Sequence, residues 1–163
     1  MFYVSKSTLT KEIEKWLLNL VKYGNNAEVA CQEVSVSKYM NGSRHKFVDV
    51  LRYNRYTNEF TCYEIKVTKA DLNSKSGHNF LGDKNYYVVP QELKEDAKEK
   101  VKGTDIGVMT YNGPFECGGF PVRPTKRQLT RKDKYFLLLA ITKGINREKR
   151  KLEQLLLMNG INF

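Results

Sequence analysis

Cysteine, histidine and proline are scarce in this 163-residue chain, at three, two and four residues. Cys31, Cys62 and Cys117 are odd in number, widely spaced and form no CxxC pair. That argues against a disulfide-framed scaffold and a cysteine zinc cage, and it suits reduced structural thiols in a cytosolic compartment. His45 and His78 lack companions at ligand spacing, which removes histidine-based zinc chemistry. No apolar run approaches the ~20 residues of a membrane span, so no membrane partner is expected. The opening MFYVSKSTLTKEIEK has no apolar core followed by a small-residue cleavage site, so no secretory signal is expected. Linkers rich in proline or glycine, low-complexity tracts and internal repeats are also missing. A single domain over residues 1–163 is the expectation, long enough to bury a real core.

Acidic residues are few relative to basic ones: 18 against 28, a net charge of +10. Residues 1–120 hold 17 basic and 15 acidic side chains, whereas 121–163 hold 11 and 3. A basic lobe on a nearly neutral body suits a polyanion partner, although a solvated basic face accounts for the composition equally well.

Residues 8–23 carry Ile13, Trp16, Leu17, Leu20 and Val21 at helical spacing, and Gly24 supplies a stop. Strands are expected over 28–37, 46–53 and 60–67, joined by turns rich in Asn and Gly into a meander. Residues 69–82 read as helical or irregular. NYYVVP at 85–90 reads as a short strand, 91–102 as a charged helix and 105–111 as a last strand. Gly and Pro mark NGPFECGGFPVRPTKRQ at 112–128 as loop. Thr130 and Asp133 match a capping box opening one helix, and Asn146 is positioned to cap another running through Met158, with Gly160 as its stop. The fold class is therefore α/β, a mixed sheet with helices packed on it.

Within YEIKVTKADL at 63–72, Glu64 and Lys66 share one strand face, while Tyr63, Ile65 and Val67 point to the other. Asp49, between Val48 and Val50 in the preceding strand, can face the same side. Isolated buried carboxylates are costly, and two close together repel unless a cation intervenes. Magnesium binds one or two carboxylates while keeping waters for a phosphate, and a nearby lysine stabilises developing charge. An ion pair on a solvated sheet face would produce the same D…ExK spacing.

The order of helix, VDV strand, EIK strand, helix and apolar strand resembles the restriction-endonuclease-like PD-(D/E)XK nuclease superfamily. FVDVLRYN, CYEIKVTKADL and KNYYVVP are similar to the MmcB-like DNA-repair proteins and their phage relatives, over roughly residues 8–112. The resemblance implies a restriction-endonuclease-like core with an αβββαβ order, followed by a basic C-terminal loop and helices over 113–163. It implies a Mg2+- or Mn2+-dependent DNA endonuclease acting in repair, recombination or phage DNA processing, in the cytoplasm of a bacterium or phage-infected host. Asp49 and Glu64 would be metal ligands with the main-chain carbonyl of Ile65, Lys66 the catalytic lysine, and Glu14 or Glu12 a helical glutamate, with Glu14 favoured. Val48 stands where the family name has proline. Asp71 matches the acid after EIK and suits either support of the site or, the favoured reading, a helix cap.

DNA is the expected partner, and a homodimer is a further assembly the sequence allows. Lys69, Lys75 and Lys84 follow the candidate site and are offered as phosphate contacts; Tyr86 and Tyr87 nearby suit base stacking, in a run that also suits a core strand. RPTKRQLTRKDK at 123–134 offers Arg123, Lys126, Arg127, Arg131 and Lys132 as phosphate contacts. A module that binds DNA without cutting it is the alternative reading.

Overall fold

The computed structural model describes residues 6–22, 27–37 and 46–159. Helix α1 (Thr8–Lys22) leads into the antiparallel meander β1 (Glu28–Ser35), β2 (Phe47–Asn54) and β3 (Glu59–Ile65). Parallel strands cannot be joined by tight hairpins. The one-turn helix α2 (Lys69–Leu72) and a long loop therefore carry the chain to β4 (Lys84–Pro90), parallel to β3. A 3-10 turn and α3 (Lys94–Lys100) then carry it to β5 (Gly107–Tyr111), parallel to β4. Strand β6 (Gly119–Val122) returns antiparallel, and α4 (Arg131–Met158) closes the chain. The six strands lie in sequence order across one mixed sheet. The chain is thus a mixed α/β fold, and none of its described helices is both long and apolar enough to cross a membrane.

Alternation along the strands fills two apolar layers. Ile13, Trp16 and Leu17 of α1 pack against Val50, Tyr63, Ile65 and Val88 on one face. Leu137, Ala140 and Ile141 of α4 cover Cys31, Leu51, Phe60 and Cys62 on the other, where Ala97 and Val101 near α3 cover Tyr87 and Val89. Each fully buried Val, Leu, Ile or Phe side chain contributes about 1.5–3 kcal/mol. Cys31 and Cys62 are free and buried, and burial pushes their thiols up to about 11 and about 12.

Strict alternation breaks once, at the same level of two neighbouring strands. The β1–β2 ladder pairs Gln32 with Val50 and Val34 with Val48, but Glu33 and Asp49, which lie between, form no pair. Glu33 has φ of 49°, an uncommon backbone region for a residue with a side chain. Before the break Cys31 faces α4; after it Val34 and Val36 do so as well. On β2, Val48 and Leu51 face α4 while Val50 faces α1. Such irregularities re-aim side chains near functional sites. Arg147 of α4 braces this one, donating to the carbonyls of Glu33 at 2.8 Å and Gln32 at 2.9 Å.

Two sequence expectations need correction. The stretch expected to be loop contains β6. Its GFPV is short, lies at the sheet edge and pairs irregularly, so Gly and Pro conceal a strand that an edge tolerates. The C-terminal region is one helix of 28 residues rather than two, with Asn146 exposed in its interior. The Thr130–Asp133 capping box is present, with Thr130 Oγ1 accepting from Asp133 N at 3.1 Å. The expected stops at Gly24 and Gly160, and His45 with its turn, lie outside the described residues.

Gly144 lets α4 approach the sheet, because a Cβ there would stand 2.7 Å from Cys31 Sγ. Gly144→Leu is expected to destabilise the fold by about 1–3 kcal/mol through overpacking. Urea unfolding should show a lower midpoint with an unchanged slope.

Candidate active site

The carboxyl ends of β3, β4 and β5 meet one edge of the sheet, and the break at Glu33 and Asp49 opens beside them. The β2–β3 ladder stops at Val50 and Tyr63. Beyond it, Asp49 Oδ2 accepts the Ile65 N–H at 2.8 Å, so a side chain takes the place of a β2 carbonyl. Glu64, 1% exposed, accepts the Asn79 N–H on Oε1 at 3.2 Å, and its carboxyl group is hydrogen-bonded to that of Asp49. Asn79 itself is fixed by donating to the Phe47 carbonyl at 2.7 Å.

Lys66 is also buried. Its Nζ lies 3.2 Å from Asp71 Oδ1 and 3.4 Å from the Ser76 carbonyl. The loop after α2 crosses over it so closely that a Cβ on Gly77 would stand 2.8 Å from Lys66 Nζ. Gly77 also adopts φ of 71°, which favours glycine there. Asp71 does not cap α2; Thr68 does, accepting the Asp71 N–H at 3.1 Å, which leaves the Asp71 carboxylate for Lys66.

On the α1 side Glu14 is buried and Glu12 exposed, so only Glu14 faces this edge. Glu14 pairs with Lys6, whose Nζ also lies 3.1 Å from Glu33 Oε1 and 4.0 Å from Asp49 Oδ1. Lys6 and Glu33 were not singled out in the sequence. Lys6 precedes a helix with no motif around it, and the signal for Glu33 was a charge inside a strand. Asn79, whose backbone orients Glu64, carried no signal at all.

The electrostatics follow from this crowding. Burial, then the Asp49 charge, pushes the Glu64 carboxyl up to about 9. Burial also raises Asp49, opposed by the Ile65 N–H and by Lys6 and Lys66. Two such groups titrate as a pair. Among the described residues no three His, Cys, Asp or Glu side chains are arranged to hold a metal by themselves. The donor set nonetheless fits a hard cation that binds few carboxylates and keeps its waters. Asp49 Oδ1 and Glu64 Oε2 are not used by the two orienting backbone N–H groups, and an ion there would relieve their repulsion.

The remaining residues singled out in the sequence divide into engaged and open. Lys69 pairs with Asp96 at 2.7 Å, and Lys84 with Glu59 at 2.8 Å, where Lys126 joins it. Arg127 hydrogen-bonds the Phe80 and Gly82 carbonyls and lies 3.2 Å from Asp105 Oδ2, a structural role. Lys75, Arg123, Arg131 and Lys132 are exposed, the last over the Phe136 ring. His78 has partners: its Nε2 donates to the Ser74 carbonyl at 2.7 Å, so Nδ1 accepts the Tyr87 hydroxyl at 2.6 Å. Tyr86 and Tyr87 are core residues on opposite faces of β4.

No family model and no curated protein matches the chain. Among solved structures, a protein of unknown function from Silicibacter pomeroyi is similar, with a TM-score of 0.68 at 13% identity over 91% of this chain and 94% of that one. At that identity the likeness concerns the fold.

The raised Glu64 pKa fixes the sign of a pH effect. The folded state binds the proton more tightly than the unfolded one, so this stabilisation is complete below about 4.5 and is lost as pH rises toward about 9. Without divalent metal, the melting temperature should fall across that window. Glu64→Gln should flatten the slope and melt higher than wild type at pH 9, as scanning calorimetry would show.

Proposed function

We propose that the chain is a divalent-metal-dependent nuclease of the PD-(D/E)XK kind, hydrolysing phosphodiester bonds in DNA. One observation carries this reading: the half-buried carboxyl of Asp49 meets the buried one of Glu64 at the end of a sheet, with the buried Lys66 just past the end of the Glu64 strand. Structural ion pairs balance charge, and this arrangement instead places like groups together.

Asp49 and Glu64 would hold Mg2+ or Mn2+ with the Ile65 carbonyl. The bound ion would supply Lewis acidity and a water of lowered pKa. The Ile65 and Asn79 N–H groups fix one oxygen of each carboxylate, which leaves the other for an ion. Lys66 is held beside the pair by Asp71 and Ser76, a short reach from any phosphate there, where its charge favours the developing negative oxygen. Glu14 and Glu33, through Lys6, keep the Asp49 side polar and positioned.

A DNA-binding module without cleavage is the second reading. It is favoured by the Lys6 ammonium, which sits among Glu14, Glu33 and Asp49 and offsets their charge without a metal.

The two readings separate on branched, flapped, duplex and single-stranded DNA incubated with and without Mn2+. Wild type is expected to cut only with metal, and Asp49→Asn and Lys66→Ala to lose at least about 100-fold in rate while still binding. Equal cutting by both variants would refute the assignment. Salt-sensitive binding with no cutting by wild type would select the second reading.

A further inference from the structure

Part of the basic stretch that the sequence offers for phosphates is engaged elsewhere, while Arg123, Arg131 and Lys132 stay exposed. Lys84 and Lys126 both meet Glu59, and Arg127 holds backbone carbonyls. Further open positive charge lies on the second half of α4. There Lys143, Asn146, Arg147, Arg150, Lys151 and Gln154 line a shallow polar cleft. Lys143 and Arg150 are exposed and make no ion pair with any described residue. Lys151 shares Glu148 with Arg147, at 3.0 and 2.8 Å.

The position of this cleft follows from one anchor. Arg147 grips the carbonyls of Gln32 and Glu33, so its helical turn is locked to the break in β1. Glu33 and Asp49 in turn share Lys6. The cleft therefore borders the edge that carries Asp49 and Glu64. Residues 143, 147, 150 and 151 fall on one helical face. At 1.5 Å per residue, Lys143 to Arg150 spans about 10 Å, the axial rise of about three phosphates of one strand.

We propose that Lys143 and Arg150 form the track along which a nucleic-acid backbone reaches the Asp49–Glu64 edge. This rests on the nucleic-acid reading above but not on cleavage. The contacts are charge on phosphate, so they confer affinity and position without sequence preference. Arg147 is excluded from the track because its guanidinium is already a brace.

The test measures binding of fluorescent 20-nucleotide DNA, duplex and single-stranded, over a salt series in an Asp49→Asn background that prevents cutting. Lys143→Gln/Arg150→Gln is expected to weaken binding at low salt about tenfold. It should also lower the slope of log affinity against log salt by about 1.5–2, at roughly 0.9 per phosphate contact on duplex. Lys143→Arg/Arg150→Lys should restore both, which separates charge from any effect on the helix. Lys84→Gln/Lys126→Gln, whose charges face Glu59, should leave the slope nearly unchanged. An unaltered slope and affinity in the α4 double variant, with its circular dichroism spectrum intact, would overturn the track. A parent that binds no DNA at low salt, or that binds polyglutamate instead, would overturn both the track and the nucleic-acid reading. A parent that binds with the expected α4 dependence, from a wild type that never cuts, would retain the track and remove only hydrolysis.

Discussion

Asp49 accepts a backbone hydrogen bond from Ile65 that β2 would otherwise provide, and most of the site depends on that substitution. A continued β2–β3 ladder would satisfy the Ile65 N–H through main chain and leave no room for a side chain between the strands. Ending the ladder at Val50 and Tyr63 lets one carboxylate enter the plane of the sheet, where it meets Glu64. The backbone stays hydrogen-bonded, as a buried N–H must, and two acids are brought into contact. The cost is electrostatic, visible in the Glu64 carboxyl being pushed up to about 9.

That arrangement needs support from elements far apart in sequence. The left-handed residue Glu33 opposite Asp49 turns β1 at the same level, and Arg147 holds the turn by two carbonyls. Gly144, one turn earlier, lets the helix lie close enough for that grip. From the other face α1 delivers Glu14, and the segment before it delivers Lys6. The loop over Lys66 is held by Asn79 on Phe47 and His78 on Tyr87. Helix α4 thus serves two ends, bracing the break with one arginine and presenting free basic side chains beside it.

Much of this was readable from residue order, and the failures have physical causes. The amphipathic spacing of Ile13, Trp16 and Leu17 is a local signal, and all three are buried in α1. The alternation in CYEIKV likewise puts Tyr63 and Ile65 in one core and Glu64 on the opposite face. Strand β6 was missed because an edge strand tolerates the proline and glycine that mark loops. The break expected at Asn146 is absent, and contacts on both sides of it, Gly144 against Cys31 and Arg147 on the Gln32 and Glu33 carbonyls, hold one continuous helix to the sheet. Asp71 looked like a cap until Thr68 was seen to hold that position and Lys66 to hold the carboxylate.

The sequence by itself determined the mixed sheet, the faces of its strands and the trio Asp49, Glu64 and Lys66, because periods of two and 3.6 residues and an isolated buried charge are local properties. The tertiary structure decided which glutamate of α1 faces the site and which lysines are open rather than paired. It also brought in Lys6, Glu33 and Asn79. Those outcomes depend on which side chains meet across tens of residues, as Lys6 meets Asp49 and Arg147 meets Glu33. No local pattern encodes such a meeting, since the partner's distance and charge exist only once the chain has folded.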